Sequence, residues 1–65
     1  MPNAEIAGPR IENIETKRAL VKEVTDAMEK AYGFPRQAYV VTIIETPAEN
    51  VGVGGVLIAD RQKKQ

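Results

Sequence analysis

The 65-residue chain carries nine Lys and Arg against nine Asp and Glu, and it contains no His, no Cys and no Ser. Balanced charge gives no global field toward nucleic acid or a membrane surface, and the missing residue types exclude disulfides, the usual zinc sites and Ser–His or Cys–His nucleophiles. So short a chain reads as one domain, residues 1–65, whose thin core other subunits are the remaining means of reinforcing.

No stretch has the apolar core of a signal peptide or the length to span a bilayer, so the expectation is a cytoplasmic protein. Residues 2–7, "PNAEIA", predict a short first strand headed by Pro2, where a missing N–H removes no ladder bond. Gly8 and Pro9 then break it.

The apolar positions from Ile14 through Leu20, Val21, Val24, Ala27, Met28, Ala31 and Tyr32 follow the i, i+3, i+4 spacing of an amphipathic helix over 12–32. Asn13 suits the N-cap and Glu15 the first turn, while Gly33 and Pro35 mark the exit.

"QAYVVTIIET" predicts a second strand, with Val41 and Ile43 on one face and Val40, Thr42 and Ile44 on the other. Both faces are largely apolar, and one helix covers only one of them. The other face predicts an interface with another copy. "PAEN" is a turn, and "VGVGGVLIA" reads as a glycine hairpin running into an extended apolar segment. The basic tail "RQKKQ" reads as a solvated terminus.

Three constellations could carry chemistry. "GVGG" at 52–55 follows a strand and lacks the Gly-Lys-Ser/Thr of a phosphate loop, which favours a hairpin or bulge over nucleotide binding. The carboxylates, Glu45 among them, are scattered and read mostly as a solvated surface. The third is Pro2. A small second residue allows removal of Met1, which would expose a secondary amine. Without His or Cys, that amine is the best-placed general base in the chain, because burial and a nearby cation lower an amine's pKa toward neutrality. The alternative is that Pro2 is only a strand residue.

The order of Pro2 heading a strand, "KRALVKEVTDAMEKAYGFP" as helix and exit, and "VVTIIETPAENVGVGG" as strand, loop and hairpin resembles the 4-oxalocrotonate tautomerase family. The resemblance implies an α+β subunit, β-α-β with a C-terminal glycine-rich hairpin. Two subunits would form a four-stranded sheet with both helices on one face, and three such dimers a hexamer. It implies a keto–enol tautomerase acting on a small 2-oxo acid or enol, with Pro2 as base and no metal or organic cofactor. An ungapped match puts the family's strand arginine at Val40, its hairpin aromatic at Val51 and its loop arginine at Glu12. Arg10 stands two residues before Glu12 and becomes the expected substrate-binding cation. Arg36 and Tyr39 could add polar contacts or simply pack. The rival reading is a non-catalytic oligomeric binding or scaffold protein of the same fold, with neither a nucleic-acid nor a membrane partner on either reading.

Overall fold

The structure is a computed structural model that describes residues 1–62. Strand β1 (Asn3–Gly8) leads to helix α1 (Ile14–Tyr32), strand β2 (Val40–Glu45), a short hairpin of β3 (Gly52–Val53) and β4 (Val56–Leu57), and a short helix α2 (Ile58–Gln62). This is the expected β-α-β unit followed by a glycine hairpin.

Helix α1 starts two residues later than its spacing suggested, because Asn13 is the cap. Its side-chain oxygen accepts from the Glu15 N–H at 2.7 Å, which satisfies one of the orphan donors of the first turn. Gly33 ends the helix at φ 76°, and its N–H donates to the Glu29 carbonyl at 2.8 Å. A residue with a Cβ is strained in that left-handed conformation.

Strand β2 begins later than predicted. Gln37 and Ala38, expected to be extended, instead join Arg36 in a 3₁₀ turn, and Pro35 fixes the backbone at the point where that turn starts. Tyr39 explains why the turn holds. Its hydroxyl accepts from the Phe34 N–H at 2.8 Å and donates to the Phe34 carbonyl at 3.0 Å. That closed ring folds the helix exit back on itself before β2 departs.

The strands β1 and β2 are parallel, with Asn3 opposite Val40 and Gly8 opposite Glu45. Alternation puts Ala4, Ile6, Val41 and Ile43 on the half-buried face, toward α1, and Val40, Thr42 and Ile44 on the exposed one. Among the described residues each strand has one unpaired edge, and a two-stranded sheet is marginal by itself.

The predicted extension of the hairpin into "VLIA" is overturned after Leu57: Ile58 and Ala59 open α2. The Ile58 N–H donates to the Val51 carbonyl at 2.8 Å, which turns the chain back toward the loop before the hairpin. Of the basic tail, residues 63–65 lie outside the described residues.

The chain by itself has almost no core. Tyr39 is its one buried residue among the described residues, and α1 buries none completely. Its radius of gyration is 15.4 Å, against about 11 Å for a compact chain of this length. Its accessible surface is 5171 Å², where a folded monomer of this mass exposes about 4,100 Å². Val40 and Ile44 are 42% and 39% exposed, and Val53, Val56 and Leu57 also lie open. No helix among the described residues is long and apolar enough to cross a membrane.

Candidate active site

Pro2 lies half-buried just before β1, with Met1 84% exposed beyond it. The Pro2 carbonyl accepts the Val40 N–H at 3.1 Å, so proline sits beside the start of β2. Met1 in this chain makes the Pro2 nitrogen an amide, with no basic lone pair. Strand geometry brings that nitrogen to the same end of the sheet as the 3₁₀ turn that carries Arg36.

Arg36 is committed elsewhere. Its guanidinium pairs with Asp26 at 2.8 Å and with Glu29 at 2.8 Å, both on α1. Hydrogen bonds to Asp26 and then Glu29 raise the Arg36 pKa, and bonds from Lys22 and Arg36 hold the Asp26 carboxyl below its usual range. The exit turn is thereby fastened to the helix. Tyr39 spends its hydroxyl on Phe34, so the polar groups of both residues are engaged within the chain.

Arg10 is at the opposite end of β1. Six residues of strand separate it from Pro2, a span of about 20 Å, so one chain does not bring the two together. Lys17, Arg18, Lys22 and Arg36 are each paired with a carboxylate, and Arg61 donates to the Val53 carbonyl. Arg10 has no hydrogen-bonding or ion-pairing acceptor among the described residues. It is exposed and chemically available to an anion.

Next to the Arg10 loop runs an apolar groove of about 400 Å³, lined by Ala7, Gly8, Pro9, Thr46, Ala48, Val51 and Ile58. Val51, where the resemblance expects an aromatic wall, is part of that lining. The hairpin below it answers the question raised by "GVGG". Gly54 and Gly55 have φ 62° and 83°, the two positive angles that a two-residue hairpin turn of type I′ demands. Gly54 and Gly55 serve the turn.

One participant escaped the sequence reading. Glu45, passed over as a scattered carboxylate, accepts the Ile11 N–H at 3.0 Å and pairs with Lys17 at 2.8 Å. Those two contacts hold its carboxyl below the usual range, the Lys17 bond contributing most. Nothing in the local spacing signals this, because Ile11 is 34 residues away.

The comparisons with known proteins agree with this architecture. A family model described as tautomerase enzyme matches residues 2–61. A protein of Staphylococcus aureus named probable tautomerase is 47% identical over 47 residues, covering 72% of this chain and 77% of its own. The crystal structure of DmpI from Archaeoglobus fulgidus superposes with a TM-score of 0.82 at 44% identity, over 91% of this chain and all of that one. A heterohexamer 4-oxalocrotonate tautomerase from Chloroflexus aurantiacus superposes with a TM-score of 0.80 at 25% identity, over 92% and 97% of the two chains. With nearly its whole length inside the family model, this chain belongs to the tautomerase family and is an isomerase of the tautomerase type.

Proposed function

We propose that the chain, once Met1 is removed, catalyses keto–enol tautomerisation of a small 2-oxo acid or its enol, with the Pro2 amine as general base. The observation that carries this reading is the placement of Pro2. It heads β1, half-buried, anchored through its carbonyl to Val40, with an exposed Met1 before it. Removing Met1 turns an amide nitrogen into a secondary amine whose lone pair the ring and the strand hold in direction. Fixing the direction in advance lowers the entropic cost of proton transfer.

In the reaction the amine takes the enol hydroxyl proton as the carbonyl forms and returns it to carbon, so the ring cycles between free amine and ammonium. Negative charge grows on the substrate oxygen between the two steps. A cation near the substrate carboxylate and that oxygen stabilises it. Arg10 is the proposed cation, because it is uncommitted whereas Arg36 is neutralised twice over.

Since Arg10 lies about 20 Å along the strand from its own Pro2, the site requires Pro2 of one subunit and Arg10 of another. The exposed sheet face, the unpaired strand edges and the missing core supply the physical reason for such an assembly. The heterohexameric relative makes a trimer of dimers the proposed form. The substrate is a small carboxylated molecule, and the assembly sits in the cytoplasm.

The test combines intact mass with an assay on phenylenolpyruvate, a carboxylated enol. Processed protein should accelerate ketonisation; processed, oligomeric protein that does not would sink the proposal.

A further inference from the structure

We infer that Glu45 is a positioning residue that holds the loop bearing Arg10 in its binding geometry; the inference rests on the proposed role of Arg10.

The loop between β1 and α1 is fastened at three points. The Gly8 carbonyl accepts the Thr46 N–H at 2.9 Å. The Ile11 N–H donates to Glu45 Oε2 at 3.0 Å. Asn13 then caps the helix at 2.7 Å. Between the first two anchors lie only Pro9 and Arg10, and the Pro9 ring removes one backbone rotation. Arg10 therefore projects from a backbone held on both sides.

Glu45 can reach Ile11 because the parallel register sets it opposite Gly8, the last residue of β1. Its carboxylate is in turn held by Lys17 Nζ at 2.8 Å on the same oxygen, from the first turns of α1. The Glu45 and Lys17 side chains are 28% and 30% exposed, far less than the Arg18–Glu15 pair at 65% and 73%. A charged acceptor strengthens the Ile11 bond. Lys17, and not Arg10, forms the ion pair with Glu45, which leaves the Arg10 guanidinium available to substrate. The single carboxylate thus joins strand, loop and helix at the point where the loop has least other support.

The experiment measures KM and kcat for phenylenolpyruvate in Glu45→Ala, Glu45→Gln, Glu45→Asp, Arg10→Ala and the Arg10→Ala/Glu45→Ala double variant, each checked for unchanged oligomer mass. Gln keeps an oxygen in reach of the Ile11 N–H. Asp keeps the charge for the flexible Lys17 but is one methylene too short for the fixed backbone donor. The expected pattern is a threefold to tenfold higher KM in Ala and Asp with kcat nearly unchanged, and near wild-type KM in Gln. In the Arg10→Ala background the Glu45 substitution should add less than twofold, because a residue acting through Arg10 has nothing left to position. Asp like wild type with Gln impaired would show that only the charge matters and would overturn the inference, as would full additivity in the double variant. Should the Ala variant fail to assemble, the Gln and Asp pair decides. If Arg10→Ala itself matches wild type, the assignment of Arg10 fails and Glu45 falls with it. If Arg10→Ala raises KM while Asp does not, only the positioning role is lost.

Discussion

The Tyr39 hydroxyl exchanges two hydrogen bonds with the backbone of Phe34, accepting at 2.8 Å and donating at 3.0 Å. This pair closes the turn between α1 and β2, and Tyr39 is also the most buried side chain of the described residues, at 9% exposure. Tyr39→Phe keeps the ring and removes both bonds, leaving the Phe34 N–H without its partner. The expected loss is about 1–3 kcal/mol of stability, read as a lower denaturant midpoint with an unchanged slope.

The assembly prediction follows from the exposed surface. Light scattering at micromolar concentration should give a mass near six times the 7.1 kDa of one chain. Substituting Ile44, exposed on the uncovered sheet face, by Asp places a charge where a second apolar face is expected to pack. That variant should dissociate and unfold together, since a single chain has too little core to stand alone. A stable, folded monomer would overturn both the interface and the shared site.

Much of this molecule was legible in its sequence because the determining signals are local. Asn13 and Gly33 mark the ends of α1 by cap chemistry, and the alternation of Val40–Ile44 gave the two strand faces correctly. What was not legible depends on long-range placement. Gln37 and Ala38 have ordinary strand neighbours in sequence, but Pro35 and the Tyr39–Phe34 ring bend them into a 3₁₀ turn. Ile58 and Ala59 continue an apolar run yet turn helical once the Ile58 N–H finds the Val51 carbonyl. Arg10 and Pro2 are near in sequence and far apart in the chain, since an extended strand is the longest path between two residues. Glu45 needs the parallel register before it can meet Ile11.

Acid should weaken the contact between Glu45 and Ile11. The Lys17 bond, the Ile11 N–H and the nearby Arg10 charge hold the Glu45 carboxyl below its ordinary 4.5. A depressed carboxyl contributes stability above the unfolded value and loses it as pH falls through the folded one. Asp26 behaves likewise below 3.8 through Lys22 and Arg36, so the Glu45 share has to be isolated by difference. Melting temperatures of wild type minus Glu45→Gln should be constant near neutrality and shrink as pH drops below 4.5. A difference independent of pH would mean that the carboxylate charge does not stabilise the loop.

For the cation, Arg10→Ala should raise KM or lower kcat/KM for a carboxylated enol by about tenfold to a hundredfold, the effect of losing a charge-assisted contact of about 1.5–3 kcal/mol. Arg36→Ala should act differently. Its partners are Asp26 and Glu29 on α1, so its loss should change stability more than substrate binding. Reversal of the two phenotypes would reassign the cation to Arg36.

The last prediction concerns Pro2 itself. Protein beginning at Pro2 should catalyse proton transfer with activity rising through an apparent pKa below that of a free secondary amine. The direction follows because desolvation in the assembled site and the charge of Arg10 both act against the protonated ring. Pro2→Ala leaves a primary amine at the same place, so its loss of activity should be partial. Retention of Met1 is the harsher change. An acylated proline nitrogen has its lone pair in the amide and cannot accept a proton, while the Val40–Pro2 backbone bond that seats the residue at 3.1 Å is untouched. Two preparations of the same fold and oligomer mass, one with Met1 on every chain by mass spectrometry and one without it, therefore separate the chemistry of the nitrogen from its structural role. The first should be inactive and the second active. Equal activity in both would return Pro2 to the status of a residue that merely begins a strand.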